Sequence, residues 1–284
     1  MKTNRTIIVD CNYVGHASRY AVDSSLRTKG GIYTNVIFGF LQTIITLSQV
    51  YQTRRFAFVW DSKKSWRKEL FPEYKKSRHK DLTEQEKLDL QRAFQQFQII
   101  RKRVLPTIGF QNNFLCTGYE GDDLVASIIQ NDEFGKDFLL YASDHDLYQL
   151  LSPRVSMIKK KELYTIDKFV AEFGINPSQW WMVKALAGCG SDEVPGIKGI
   201  GEITACKYLK NQLKETTAAY KKIVDGKEEA TKRNIPLVKL PFDGTPVCKL
   251  VEDKFDAEAT KELFEYFEFD SFLDEFDEWE ELLK

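Results

Sequence analysis

Short apolar runs that end on, or lead directly into, acidic residues constrain this chain more than any other feature. The run Thr6–Val9 closes on Asp10, and Phe56–Trp60 closes on Asp61. Phe138–Ala142 is followed by Asp144, with Asp146 two residues on. Phe110–Cys116 precedes Glu120, Asp122 and Asp123, which open an apolar stretch to Gln130 in the way a helix start does. Between these runs, residues 31–51 and 84–105 carry apolar residues at helical spacing. Buried strands alternating with helices predict an α/β fold: a mostly parallel central sheet flanked by helices on both faces. Sites in such sheets form beyond the carboxyl ends of the strands. The acids are therefore expected to converge on one edge.

Any one of these acids has an ordinary reading as a helix cap or turn residue. Together they would repel one another and require countercharge. Hard divalent cations supply it, because Mg²⁺ prefers oxygen ligands and binds phosphate oxygens as well. Two such ions would serve phosphodiester hydrolysis. The candidate metal acids are Asp10, Asp61, Glu120, Asp122, Asp123, Asp144, Asp146 and, further on, Asp192.

The net charge of −1 says nothing about partners, but its distribution does. From Lys63 to Arg103 there are thirteen Lys/Arg against six Asp/Glu; from Glu252 to Lys284 there are three against fourteen. Phosphates would be drawn to the first stretch and repelled by the second. Within the basic stretch, cations alternate with Trp66, Phe71 and Tyr74. Arg67, Tyr74 and Lys76 are accordingly expected to contact DNA, the cations through phosphate and the ring by stacking. The alternative is a solvated helix whose aromatics pack inward.

The second half reads as helical, with segments at 178–187 and 192–210 around the glycine-rich sequence GIKGIG, and acidic amphipathic helices at 257–284. Residues 211–256 contain prolines and glycine and are expected to be irregular. In GIKGIG, Gly196, Gly199 and Gly201 permit a tight turn, and Lys198 lies at its tip. A helix starting near Gly201 would aim backbone N–H groups at a phosphate, as a helix-hairpin-helix does. Five cysteines without C-x-x-C spacing argue against a disulfide framework and a zinc site. His16, His79 and His145 are far apart, no signal-peptide pattern opens the chain, and no run is long enough to span a membrane, so a cytoplasmic location is expected.

With these motifs in order, the chain resembles the phage and bacterial 5′–3′ exonucleases, relatives of the flap endonucleases. The matching stretches are IIVD, VWDSKKSWRKELFPEYKKSR, GYEGDDLVASII, ASDHDLYQLL, KALAGCGSDEVPGIKGIGEITACKYL and RNIPLVKLPFDGT. The resemblance runs from about Ile7 to Phe272. It implies a nuclease core over residues 1–177 with a helical arch at about 63–103, and a DNA-binding region over 178–284 packed on it as one unit.

The resemblance further implies Mg²⁺-dependent cleavage near 5′ ends, nicks and flaps of DNA in replication or repair, with Mn²⁺ as a substitute ion and RNA primers among the substrates to be tested. Asp10, Asp61, Glu120 and Asp122 would form one metal site, Asp144 and Asp146 a second, with Asp123 and Asp192 around it. Lys75 and Arg78 would act on the scissile phosphate. Gly196–Gly201 would hold duplex backbone, in the family often through K⁺. A free-standing monomer is expected, in a bacterial cell or in the host of a phage. The rival readings are a PIN-like RNase and a non-catalytic branched-DNA binder. Cys189 keeps the second rival alive, since it stands where relatives have Asp. Two further departures are Cys11 after Asp10, and Arg19, which lies two residues later than the corresponding family arginine.

Overall fold

The computed structural model describes residues 5–78, 80–160 and 162–283; His79 lies outside the described residues. Six strands form the central sheet: β1 (Arg5–Asp10), β2 (Arg55–Val59), β3 (Asn113–Phe114), β4 (Asp137–Tyr141), β5 (Val155–Lys159) and β6 (Glu162–Tyr164). Their order is β3-β2-β1-β4-β5-β6, parallel throughout except for the antiparallel β5–β6 pair. The third sequence-expected strand is thus only two residues long. β1 is central, and the chain crosses from it to β2 on one side and later to β4 on the other. That reversal places the open cleft beyond the carboxyl end of β1, where Asp10 stands.

Alternation along β1 assigns the two hydrophobic layers. Ile7 and Val9 point into one, with Phe40, Phe58, Phe264, Phe272 and Trp279. Ile8 points into the other, with Leu124, Leu140, Trp180 and Ile200. The first layer is roofed by α1 (Cys11–Ala21), α2 (Asn35–Tyr51), and, past the short α3 (Trp66–Leu70), by α4 (Glu84–Ile99) and α5 (Leu105–Ile108), joined by a π turn at 100–104. The second holds α6 (Gly121–Gln130), α7 (Ile166–Phe173), α8 (Trp180–Ala187) and α9 (Glu202–Leu209). Helices therefore cover both faces, as expected of a sheet whose strands are buried on both sides. The arch is less helical than expected: between α3 and α4 the chain runs through turns.

The segment 211–256 departs most from expectation. It contains a 21-residue helix, α10 (Ala218–Val238), capped by Thr217 and carrying Pro236 in its last turn. Proline lowers local helix propensity, and tertiary contacts override it here. Asn234, wholly buried, donates from Nδ2 to Ala185 O and Pro195 O, both at 2.8 Å, and so locks α10 to α8 and to the hairpin. The acidic carboxyl-terminal helices α11 (Ala257–Tyr266), α12 (Asp270–Asp274) and α13 (Phe276–Leu283) bury Phe264, Phe272 and Trp279 in the first layer. Among the described residues, no helix is long and apolar enough to cross a membrane.

Between α8 and α9 lies a two-strand ribbon, β7 (Gly188–Cys189) with β8 (Val194–Pro195), followed by the glycine-rich turn. Gly196 allows close backbone approach, because a Cβ there would sit 2.0 Å from Ala187 O. Gly199 has φ +83°, which side-chain-bearing residues rarely adopt. Gly201 faces open space and caps α9. Gly196→Ala is therefore expected to destabilise the protein by at least about 2 kcal/mol through backbone overlap, while Gly201→Ala stays within about 0.5 kcal/mol. Urea denaturation of both variants checks this; equal stability would remove the close-approach role of Gly196.

Candidate metal centre

Local folding explains how each acid reaches the cleft. Asp10 ends β1 and caps α1, accepting from Tyr13 N at 3.0 Å. Asp61 follows β2, and its Oδ1 accepts from Gly121 N at 2.8 Å, tying that strand to the start of α6. Asp122 lies in the first turn of α6. Asp144 caps the 3-10 turn 145–150 after β4 and accepts from Asp146 N at 2.8 Å. Three of the four are thus held by backbone N–H groups at element starts, where carboxylates are favoured.

These four lie close enough for their charges to act on one another. Burial, followed by the charges of Asp61 and Asp144, pushes the Asp10 carboxyl up to about 7. Burial and then Asp144, Asp10 and Asp61 hold Asp122 well above the ordinary carboxylate range. Asp61 is raised by withdrawal from water in the crowded cleft and by Glu120, although Lys75 and Arg78 work against the rise. A site that resists its own ionisation so strongly has the chemistry of a cation-binding centre. Its donors are carboxylate oxygens, which fits a hard divalent ion.

A second cluster adjoins the first. Asp146, Cys189 and Asp192 each present a ligand atom within 4.8 Å of the others, and all three residues are buried. Asp146 Oδ1 is buried and makes no aligned hydrogen bond, although Lys184 Nζ forms an ion pair with it at 3.1 Å. Such an oxygen suits a metal ligand. The Asp146 carboxyl is raised to about 6 by burial and by Asp144, against the pull of Lys184.

The turns between α3 and α4 bring cations onto these acids. Lys75 Nζ donates to Glu120 Oε2 at 2.8 Å and lies 3.7 Å from Asp192 Oδ2. Arg78 Nη2 donates to Asp192 Oδ1 at 2.8 Å. The backbone assists: Lys75, at φ 51°, donates its N–H to Asp192 O at 3.0 Å. Lys75 and Arg78 therefore do converge on the acids, and Lys76 stays exposed beside them. Burial works against a charge on Lys75, yet Glu120 and Asp192 hold its pKa above the ordinary lysine value.

Three expectations require correction. Asp123 is wholly buried, and its carboxylate is consumed by Arg67, at 2.6 and 2.7 Å, and by the N–H groups of Glu120 and Phe242. No donor capacity remains for a metal. Arg67, 3% exposed, also donates to Leu237 O and is therefore a structural clamp, not a DNA contact. Tyr74, 2% exposed, donates from its hydroxyl to Glu120 at 3.0 Å, so its ring cannot stack on a base. The inward-packing alternative describes these two better, because hydrogen bonds to buried carboxylates are stronger than exposed contacts. Glu120 is itself engaged by Lys75, Tyr74 and Arg67, and these partners overcome burial to lower its pKa.

Two residues were missed. Lys184, a lone cation in the apolar helix WWMVKALA, is buried between Asp146 and Glu202; its isolation there was the available signal. Lys222, on α10, brings Nζ within 3.3 Å of where a Gly199 Cβ would stand. No local pattern marked it, since α10 was not expected. At the turn itself Lys198 and Gly199 are exposed.

A doubly covered, mostly parallel sheet gathers carboxylates at its switch point beneath a basic loop, and the family comparison assigns that arrangement to the 5′-3′ exonucleases. The family model described as 5′-3′ exonuclease, N-terminal resolvase-like domain, matches residues 5–174, and the chain belongs to that family. A 5′-3′ exonuclease of Bacillus subtilis is 33% identical over 220 residues, covering 74% of this chain and 71% of the relative. A 5′-3′ exonuclease of Mycoplasmopsis pulmonis is 30% identical over 246 residues, covering 81% and 78%. In fold, the T5 D15 protein co-crystallised with metal ions superposes with TM-score 0.70 at 23% identity, over 84% of this chain and 90% of that one. The flap endonuclease-1 of Methanococcus jannaschii gives 0.59 at 18%, over 99% and 93%.

Two outcomes are expected. Asp123→Asn leaves the buried Arg67 charge without its bidentate partner, with Glu120 at 3.9 Å as the remaining carboxylate, which should cost about 3–5 kcal/mol while leaving the response to divalent cations in place; denaturation with and without metal measures both. Second, carboxyls with raised folded-state pKa favour folding when protonated, so their contribution is full below about pH 4 and is lost as pH rises through about 6 to 7. The metal-free protein should therefore lose thermal stability across that window, and a divalent cation should restore it. A metal effect on melting that does not grow with pH would count against this site.

Proposed function

We propose that this chain is a structure-selective 5′ nuclease that hydrolyses phosphodiester bonds near 5′ ends, nicks and flaps of DNA, with Mg²⁺ as its working ion. The single observation that carries the reading is the convergence of Asp10, Asp61, Asp122 and Asp144 from three strand ends and one helix start, beside Lys75 and Arg78. These four residues would hold the cation. When bound, such an ion supplies charge stabilisation at the phosphate and an activated water.

The chain's own groups do the remainder. Lys75 and Arg78, from the basic loop, exchange their carboxylate partners for substrate phosphate and place positive charge where negative charge develops. Glu120 and Tyr74 hold that loop against the cleft until substrate arrives. The hairpin 196–201, in which Lys198, Gly199 and Gly201 are exposed and Lys222 lies alongside, offers cations and the backbone of its tip to duplex phosphates at a distance from the cleavage site. Two such contact points select a junction over a plain end, because both are satisfied only when duplex and free 5′ strand occur together.

The deciding experiment uses a labelled 5′-flap duplex, with Mg²⁺ and then with excess EDTA. Asp122→Asn should fold normally and lower turnover by at least about 10²-fold. Cleavage that survives EDTA, or a variant within threefold of wild type at saturating Mg²⁺, would refute the assignment. Flap binding without any cleavage would favour the non-catalytic rival.

A further inference from the structure

At the amino ends of β1, β2 and β4, the edge of the sheet opposite the acids, lies a cavity of about 830 Å³. Thr6, Arg54, Arg55, Phe134, Lys136 and Asp253 are among the residues around it. The six residues of β1, at about 3.3 Å each, separate the two edges by roughly 17 Å. The walls are fixed by the protein's own bonds. On one side the irregular segment 250–256 lies on residues 108–112. Lys254 N–H donates to Gly109 O at 2.8 Å and Asp256 N–H to Ile108 O at 3.1 Å. Asn112 exchanges bonds with the Val251 backbone, at 2.8 Å in both directions. Gly109 permits this approach, since its φ is +109° and a Cβ there would stand 1.7 Å from Lys254 O. On the other side the loop 131–136 folds around Asp132, which accepts from Phe134 N at 3.3 Å and Lys136 N at 2.7 Å. Lys249 joins the two walls through Glu133 at 2.8 Å. A cavity held in this way is formed before any ligand arrives.

Charge around the opening is one-sided. Asp132 is paired to Arg154 at 3.2 Å, and Glu133 is held by Lys249. The Asp253 carboxylate turns into the fold, where it accepts from Gln111 N at 2.8 Å and Asn112 Nδ2 at 3.1 Å. Glu252 remains as an exposed acid, against Arg54, Arg55 and Lys136. The rim also presents apolar side chains to water. Phe134 is 73% exposed, with Lys136 Nζ 5.0 Å from its ring centroid, and Val251 is 60% exposed. Val247, equally exposed, lies four residues earlier on the same segment and carries the apolar rim beyond the cavity. An accessible ring beside a cation, at the mouth of a fixed cavity, suits a ligand that brings both carboxylate and an apolar side chain.

We propose that this cavity docks a short acidic peptide segment of a partner protein, whose carboxylates meet Arg54 and Lys136 and whose aromatic or aliphatic side chain packs against Phe134 and Val251. Charge complementarity and the apolar rim select this occupant together. A small anion would satisfy the cations and leave Phe134 and Val251 uncovered. A duplex is longer than the basic opening and would cross the adjoining segment 252–284, where fourteen acids stand against three bases and repel its phosphates. A peptide seated at this edge leaves the acid cleft open, so partner and DNA are held at the same time.

The test uses the intact chain and three fluorescein-labelled dodecapeptides, repeats of Asp-Asp-Phe, Asp-Asp-Ser and Lys-Lys-Phe, followed by fluorescence anisotropy. The first should bind saturably and at least about tenfold more tightly than either of the others, because each of those lacks one of the two contacts. The double variant Arg54→Glu/Lys136→Glu should weaken that binding by at least about tenfold, through lost attraction and added repulsion. Phe134→Ser should weaken it by at least about threefold. Both variants alter surface positions and should keep the wild-type melting temperature and flap cleavage. Equal or absent binding of the three peptides, or undiminished binding by the two folded variants, would overturn the proposal. So would displacement of the peptide by plain duplex DNA together with lost duplex binding in the double variant, which would make the patch a nucleic-acid contact. Mg²⁺-supported flap cleavage by wild type, measured separately, can fail without changing the peptide isotherm, so the two readings are distinguished.

Discussion

The repulsion among carboxylates gathered beyond β1, β2 and β4 is the constraint around which the rest of this molecule is arranged. Asp10 and Asp122 are pushed far above the normal carboxylate range by burial and by each other's neighbours. A fold that concentrates like charge in this way needs countercharge at short range, since effective screening by water is lost there. It is found in layers. Arg67 neutralises Asp123 beneath the cleft, Lys184 faces Asp146 at one side, and Lys75 and Arg78 cover Glu120 and Asp192 from above. Of the eight acids at the cleft, Asp10, Asp61, Asp122 and Asp144 have no direct cationic partner among the described ion pairs.

This arrangement couples the basic loop to the site. Lys75 and Arg78 are docked by charge and by one backbone hydrogen bond to Asp192, while the neighbouring Arg67 and Tyr74 are anchored in the interior. The anchors fix where the loop leaves the core, and the ion pairs of Lys75 and Arg78 with Glu120 and Asp192 hold its tip on the acids. The loop is thus positioned by two kinds of contact, buried anchors and ion pairs at the cleft.

The helical half serves the same edge from another direction. Helix α10 locks to α8 and the ribbon through Asn234, and α8 carries Lys184 beneath Asp146. The ribbon that bears Cys189 continues straight into the glycine-rich turn. The same packed helices therefore support both the second cluster and the glycine-rich turn. Substitutions along α10 are accordingly able to disturb both without touching either.

The sequence alone determined the sheet and the edge on which the acids fall. The continuous apolar run of β1, buried on both faces, and the acid after each apolar run are local patterns, and a parallel sheet has one carboxyl edge to which they must point. The motifs that mark the family were equally local. What only the tertiary structure decided was which charges are partnered. Nothing in the E-G-D-D spacing distinguishes Asp122, which faces the cleft, from Asp123, which turns inward to Arg67 from fifty-six residues away. Nor did KELFPEYKKSR reveal that Tyr74 is interior and Lys75 poised on an acid, since that depends on a docking site built by residues 120 and 192. Helix α10 was hidden for the same reason: its proline and glycine lower local propensity, and the contacts of Asn234 that stabilise it are made with residues some forty to fifty positions earlier. Pairing of this kind is set by long-range geometry, and a pattern read along the chain carries no term for it.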